Sequence, residues 1–254
     1  MSVLTLQLAG PLQSWGASAR FARRTTESAP TKSGVLGLLA AALGRTRDAD
    51  VSDLAGLRFG VRIDQPGTRV RDFQTAHHAD TGRSMPVSGR FYLSDAVFVA
   101  AVEGDPELLG RVRSALRAPV FLPFLGRRSC PPSRPVDLGL YDGVGLAEAL
   151  AAEEWRASDW YQRRRRRDAE VELTLLLEPG PDTGHHADDG PGDTMRDQPI
   201  SFDVRHRRYA LRDVVSRSVT LPNPQAGPMA GNSRPSFPSH DPTAHLDPLP
   251  RDGS

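Results

Sequence analysis

The sequence predicts an α+β fold whose first 135 residues follow the β-α-β-β-α-β order of a ferredoxin-like domain. Three observations predict it: strand-length runs in which apolar and polar residues alternate, two intervening segments with helical periodicity and caps, and a weaker strand pattern toward the C-terminus. The first run, "SVLTLQLAGP", sets Val3, Thr5 and Gln7 against Leu4, Leu6 and Leu8 and stops at Gly10-Pro11. A helix over 32–44 follows, with Leu36, Leu39 and Leu43 on one stripe, small residues beside them, and Gly44 as its stop. "LRFGVRID" (57–64) and "FYLSDAVFVAAV" (91–102) are the second and third strands, and "DPELLGRVRSALRAP" (105–119) is a helix with Pro106 near its start and Pro119 beyond its end. "VFLPFLG" is the expected fourth strand. In this order the two helices cover one face of the sheet, and the other is open to bind. RNA-recognition (RRM-like) domains use that face, as do unrelated proteins, so the fold alone decides nothing.

Two connections are long. Residues 10–30 form a loop of about twenty residues, a length uncommon in compact domains unless it binds something. The 26 largely polar residues of 65–90, between the second and third strands, predict a projecting β-hairpin or arm. Beyond Pro135 the pattern weakens to a helix in "GLAEALAAEEW", a strand in "AEVELTLLLEP" and one or two more in "RRYALRDVVSRSVTL". Residues 180–199 hold almost no apolar side chains and 223–254 are rich in Pro, Ser, Gly and Asp; both are expected to be disordered.

At 254 residues the chain can bury a sizeable core. Its one cysteine, Cys130, excludes an intrachain disulfide and points to a reducing compartment. The N-terminus lacks the basic segment of a signal peptide, and no run of 18 apolar residues occurs, so a soluble cytoplasmic protein without membrane contact is expected. The net charge of +1 conceals segregation: residues 1–47 carry six basic side chains against Glu27 alone, Arg163 to Arg167 is an unbroken run, and 182–193 is acidic. Concentrated basic charge points to phosphate. Only Lys32 among the 32 basic residues is not arginine; a GC-rich genome accounts for part of that bias.

Five motifs bear on chemistry. "TKSG" (31–34) lacks the glycine that a phosphate loop needs before its lysine; Thr31 or Ser33 can cap a helix whose free N–H groups attract an anion, with Lys32, Arg23 and Arg24 adding charge, or the segment is only a capped helix start. In "GPLQSWG", Trp15 either stacks on a base or plugs the edge of a core. His77 and His78 have no zinc-ligand spacing, and no metal or other cofactor is implied; either could serve as general acid or base in metal-independent RNA cleavage, partnered by Lys32 or Tyr92. "FLGRRSCPP" places Arg127 and Arg128 beside a glycine where backbone can approach a nucleic acid, or forms an ordinary turn. The arginine run is a phosphate-tracking patch or a solvated helix end.

Taken in order, "LAGPLQSWG", "RRTTESAPTKSGVLGLLAAALGR", "LRFGVRIDQPG", "DFQTA", "FYLSDAVF" and "FLGRRSCPP" resemble the CasD subunits of type I-E Cascade, the Cas-five family of the RAMP superfamily. These belong to CRISPR RNA-guided surveillance complexes in antiviral defence. The resemblance implies an RRM-like RAMP domain over 1–135 with a β-hairpin thumb at about 65–90, a smaller C-terminal β-rich region over 136–222, and a non-catalytic role, because a separate endonuclease processes the RNA in type I-E systems. It implies that the chain holds the 5′ handle of CRISPR RNA and caps one end of the complex. The neighbours would be the backbone subunit CasC and the large PAM-reading subunit CasA, with target DNA nearby. On that reading Gln13, Ser14 and Trp15 meet handle bases or sugars, and Arg23, Arg24 and the helix start Thr31, Lys32, Ser33 and Gly34 hold phosphates. Arg127 and Arg128 assist, and Arg83 and Arg90 sit on the thumb beside the junction of handle and guide.

Overall fold

A computed structural model describes residues 1–16, 23–180, 193–203 and 205–227. Strand β1 (Ser2–Ala9) is buried along its whole length. The short strands β2 (Leu12–Gln13) and β3 (Arg23–Arg24) precede helix α1 (Lys32–Ala42) and a single turn, α2 (Ser52–Ala55). Strand β4 (Arg58–Gln65) leads into a hairpin of β5 (Thr68–Gln74) and β6 (Ser88–Ser94), after which β7 (Val97–Gly104) returns between β4 and β1. Helix α3 (Pro106–Arg117) starts where Asp105 accepts a hydrogen bond from the Leu108 N–H, with Pro106 preset for the first helical position.

The fourth strand of the ferredoxin-like core is β8 (Asp137–Asp142), paired antiparallel to β1 with Ser2 opposite Asp142. This corrects the expectation that "VFLPFLG" is that strand. The Val120 and Phe121 N–H groups instead donate to the Ala42 and Ala41 carbonyls, at 3.0 and 3.2 Å, satisfying orphan acceptors at the end of α1. A boundary at residue 135 would therefore cut the sheet.

Helices α4 (Leu146–Ala152) and α5 (Asp159–Arg164) follow, then β9 (Glu170–Leu177), β10 (Asp193–Ser201) and β11 (Arg208–Pro222). These last strands extend the same sheet, which runs β10-β11-β9-β4-β7-β1-β8 with every neighbour antiparallel. The C-terminal β-rich region is thus a continuation of the sheet. Residues 193–199, expected to be disordered, lie in β10; 181–192, 204 and 228–254 fall outside the described residues. Asn223, placed by sequence in the disordered tail, is buried, and its side-chain amide donates to the carbonyls of Gln162, Arg165 and Asp168.

The core is built on both faces of the sheet. Leu4, Leu6 and Leu8 of β1 with Phe98, Ala100 and Val102 of β7 meet α1 and α3 on one side. On the other, Val3, Val99 and Ala101 meet Leu146, Ala149 and Leu150 of α4, so the face expected to be open for RNA is closed. Polar residues of β1 that alternation assigns to that face are buried too: Thr5 donates to Glu153 at 2.7 Å, while Gln7 Nε2 has no hydrogen-bond partner among the described residues.

What ties α4 down is Arg62 of β4, whose side chain is fully buried. Its Nη1 donates to the Leu150 and Glu153 carbonyls and its Nη2 to that of Glu154, closing the free C-terminal acceptors of the helix. The remaining fork faces Asp64 at 2.7 and 2.9 Å. One guanidinium therefore satisfies a carboxylate and three carbonyls in a dry site. Arg62→Met is expected to cost about 3–5 kcal/mol of unfolding free energy in urea titrations, because it leaves a buried charge unpaired. A loss below about 1 kcal/mol would show that these acceptors are hydrated.

Candidate nucleic-acid interface

Helix α1 begins as its sequence requires: Thr31, in extended conformation, accepts from the Gly34 N–H at 3.3 Å. The anion at its positive end belongs to the protein. Asp197 of β10, fully buried, accepts from the Lys32 N–H at 2.7 Å. The Lys32 ammonium turns inward, 2.9 and 3.1 Å from the two carboxylate oxygens of Glu178 at the end of β9. Arg212 of β11 closes the group, donating to Asp197 at 2.6 and 3.0 Å and lying 5.3 Å over the Phe59 ring. Burial pushes the Lys32 amine below its usual range, against the pull of Glu178.

This corrects the phosphate role expected of the helix start. Thr31, Lys32 and Ser33 are buried and their charge is neutralised internally. Gly34 is constrained by packing: a Cβ there would lie 2.8 Å from Cε3 of Trp15 and 3.0 Å from Oγ1 of Thr31.

The "QSW" residues are corrected in the same way. Trp15 is fully buried in the core beneath α1, its Nε1 donating to Gln13 at 3.0 Å, so it plugs the core and offers no face to a base. Gln13 in turn donates to the Leu8 and Ala96 carbonyls, and the Ser14 hydroxyl donates to the Phe91 carbonyl. All three side chains organise the loop from inside.

A basic surface remains, and it centres on the hairpin. A second sheet, β2-β6-β3 with β5 on β6, rises from the end of β4. Arg23 and Arg24 of β3 pair with Gly89 and Arg90 of β6. On one face of β6, Arg90 and Tyr92 are two residues apart, and the Arg127 guanidinium stacks 4.7 Å over the Tyr92 ring. Arg127 also donates to the Arg24 carbonyl at 3.1 Å. Its Nη1 and the Nε of Arg90 are buried donors that have no partner among the described residues. Arg24 and Arg128 are exposed, and Arg83 lies exposed in the tip of the hairpin after Gly82.

The loop carrying Arg127 and Arg128 can be built only on glycine. Gly126 has φ +82°, and a Cβ there would sit 1.8 Å from the Ser14 carbonyl oxygen. The Ser14 N–H donates to the Leu125 carbonyl at 3.1 Å, so the two loops are docked backbone to backbone.

The opposite face of the hairpin holds a group not singled out from sequence. Arg71 lies 4.5 Å from the Phe73 ring centroid and 5.7 Å from that of Phe91, while Arg69 donates to the Thr26 carbonyl. The signal was present: in "TRVRDFQ" the residues Arg69, Arg71 and Phe73 recur with period two and must share a strand face.

The catalytic pairing considered for His77 or His78 is not assembled. Both are exposed at the hairpin tip, where His77 meets the Gly82 carbonyl and Ser84, whereas Lys32 is buried against Glu178 and Tyr92 lies under Arg127. Among the described residues no group of three or more His, Cys, Asp or Glu could hold a metal ion, and no helix is long and apolar enough to cross a membrane.

A ferredoxin-like core extended into one antiparallel sheet, with a basic hairpin rising from its end, defines an RRM-like protein of the RAMP class. The chain belongs to the CRISPR-associated protein (Cas_Cas5) family, whose model matches residues 3–215. It is 33% identical over 199 residues to the CRISPR system Cascade subunit CasD of Escherichia coli (strain K12), a match covering 70% of this chain and 88% of that one. A crystal structure of a Cas protein is similar at 38% identity with a TM-score of 0.62, covering 88% of this chain and 97% of that one. A chain of a CRISPR RNA-guided surveillance complex is similar at 31% identity with a TM-score of 0.68, covering 90% and 95%.

The charge group at α1 makes an asymmetric prediction. Without Lys32, Glu178 keeps the Phe59 N–H at 3.1 Å and Arg212 at 3.6 Å; without the Glu178 carboxylate, the buried Lys32 ammonium loses its ion-pair partner among the described residues and keeps only the weaker pull of Asp197. Glu178→Gln is expected to destabilise by about 3–5 kcal/mol and Lys32→Met by distinctly less. Equal losses in chemical denaturation would contradict this division of the network.

Proposed function

We propose that the chain is a non-catalytic RNA-binding subunit of a Cascade-type surveillance complex in antiviral defence, where it holds the 5′ handle of CRISPR RNA and caps one end. The family membership and the CasD relative support the class of complex. The observation that carries RNA binding is the Arg90–Tyr92–Arg127 group: a stacked guanidinium and two desolvated donors without partners among the described residues, on a hairpin face. Buried unpaired donors are costly, and a phosphate or base edge would satisfy them.

On this reading Arg23 and Arg24 line the path of the RNA from the edge strand β3, Arg128 adds charge, and the hairpin is the thumb, with Arg83 at its tip. CasC and CasA are its neighbours, target DNA passes nearby, and the complex works in the cytoplasm. Gln13, Ser14, Trp15 and the α1 start act indirectly, by fixing the loop against which Arg127 is held.

Titration of the full chain with a repeat-derived RNA carrying the handle tests this. The double variant Arg90→Ala/Arg127→Ala is expected to bind at least about tenfold more weakly, about 1.4 kcal/mol, with the slope of log K against log salt shallower by about 1.4, two single-strand phosphate contacts. Unchanged affinity and slope would reject the site. Incubation of the same RNA with the protein in EDTA tests the non-catalytic role: site-specific cutting abolished by His77→Ala and His78→Ala would overturn it.

A further inference from the structure

The run Arg163 to Arg167 has no part in the hairpin interface. It closes α5 and the turn after it, and Arg163, Arg164, Arg166 and Arg167 are exposed. Arg165 alone is engaged, with Asp168 at 3.0 Å. Among the described residues the other four guanidiniums make no ion pair with a carboxylate, although Asp159 lies four residues before Arg163 on α5 and Asp168 and Glu170 follow the run.

The backbone beneath them is fixed. Asn223 holds the Gln162, Arg165 and Asp168 carbonyls, and the Gly227 N–H donates to the Arg166 carbonyl at 3.2 Å. Ordered backbone under unpaired arginines presents their donors at a defined place, which a solvated helix end does not require.

Beside them stands an aromatic that the core does not use. Trp155 is 3% exposed and packs edge-on with Tyr161 at 6.1 Å; Tyr161 packs edge-on with Trp160 at 5.6 Å, yet Trp160 is 48% exposed. The inner two rings complete the packing against β9 and β11. Trp160 is thereby supported from one side and open on the other.

The location matters too. The Ser158 N–H donates to the Gln65 side chain and the Trp155 indole to the Asp64 carbonyl, each at 3.0 Å, which anchors the start of α5 where β4 passes into the hairpin. Because β9 runs antiparallel to β4, its first residue, Glu170, lies at that same end of the sheet, and the arginines immediately precede it. The run therefore flanks the hairpin, one strand position along the sheet end from β4.

We propose that Trp160 with Arg163, Arg164, Arg166 and Arg167 forms a second binding site, for a single-stranded polynucleotide, separate from the Arg90–Tyr92–Arg127 group. The arginines bind backbone phosphates as forked donors, and Trp160 stacks on one unpaired base. A duplex keeps its bases stacked on each other, leaving the indole without a partner; an acidic polypeptide would use the arginines and leave Trp160 idle.

The test uses the full chain, fluorescein-labelled dT12 and rU12, and a poly-glutamate peptide of matching length. Arg163→Gln/Arg164→Gln/Arg166→Gln/Arg167→Gln is expected to make the salt slope for the oligonucleotides shallower by up to about 2.8, four single-strand phosphate contacts. Trp160→Ala is expected to weaken them about 5- to 150-fold, the range of one stacked base, with Trp160→Phe retaining most of the affinity. In the Arg90→Ala/Arg127→Ala background oligonucleotide binding should persist and then vanish when the four glutamines are added, so the site can stand if the handle reading fails. The ratio of dT12 to rU12 affinity distinguishes a DNA from an RNA strand. Thermal melting at the wild-type temperature checks that the substitutions leave the fold intact. The proposal is overturned if the quadruple variant keeps the wild-type slope in that background. It is equally overturned if Trp160→Ala is neutral while poly-glutamate binds as tightly as the oligonucleotides, which would make the surface one for an acidic protein.

Discussion

The start of α1 is the constraint on which the rest of the molecule depends. Four ionic side chains, Lys32, Glu178, Asp197 and Arg212, converge there from α1 and from the ends or middles of β9, β10 and β11. None is stable in the interior alone, because desolvating a single charge costs several kcal/mol. Together they balance, with two cations, two anions and the positive end of a helix. The network joins the N-terminal ferredoxin-like unit to the C-terminal strands, so that β10 and β11 complete the sheet instead of forming a separate layer. It also seats α1 on Trp15 through Gly34. From Trp15 the contacts pass through Ser14 to the Gly126 loop, and that loop places Arg127 on Tyr92. A buried charge group thus sets the position of a surface arginine one packed loop at a time.

Covering both faces of the sheet moves the available binding surface. An RRM-like sheet with helices on one side can use the other for bases, but here α4 closes it, held by the Arg62 guanidinium. What stays accessible is the end of the sheet, where the hairpin departs and α5 begins. A two-stranded hairpin is marginal by itself in water. This one is braced by β2 and β3 on β6, by the Arg69 contact with Thr26 and by the Arg71 ring contacts. Bracing of that kind lets an extended arm carry arginines at fixed spacing.

The strands whose residues alternate were legible in the sequence, and so were α1 and α3, since periodicity and caps are local properties. The rest was hidden for physical reasons. "VFLPFLG" has strand composition, yet Pro119 precedes it, Pro123 interrupts it, and its first two N–H groups are taken by the end of α1; the true fourth strand, "DLGLYD", is short and half-buried at the sheet edge. "DTMRDQPIS" holds too little apolar surface to signal a strand, because its burial rests on Asp197 and an ion network that only the tertiary structure assembles. "TKSG" allows either an anion site or a plain capped helix start, and no local pattern says that the carboxylate on the Lys32 N–H is the protein's own Asp197. The residues proposed to bind RNA, on β3, β6 and the Gly126 loop, come from three separate stretches, and sequence could nominate them only one by one.

Arginine composition illustrates the same limit more sharply. Nearly every basic residue of this chain is arginine, so residue type carries little information about role. Partnership carries it instead. Arg62 and Arg212 are buried with their donors committed to carboxylates and carbonyls, and are parts of the core as surely as Leu6 is. Arg90 and Arg127 are half-buried with a donor each unpaired among the described residues, an arrangement that folding alone does not favour and that an anionic ligand would complete. Of the arginines after Trp160, Arg163, Arg164, Arg166 and Arg167 are exposed on a hydrogen-bonded backbone, a third condition, in which, among the described residues, neither the core nor an ion-paired carboxylate accounts for their placement. Sorting a basic protein by what its guanidiniums still lack separates stability from binding where counting charges does not.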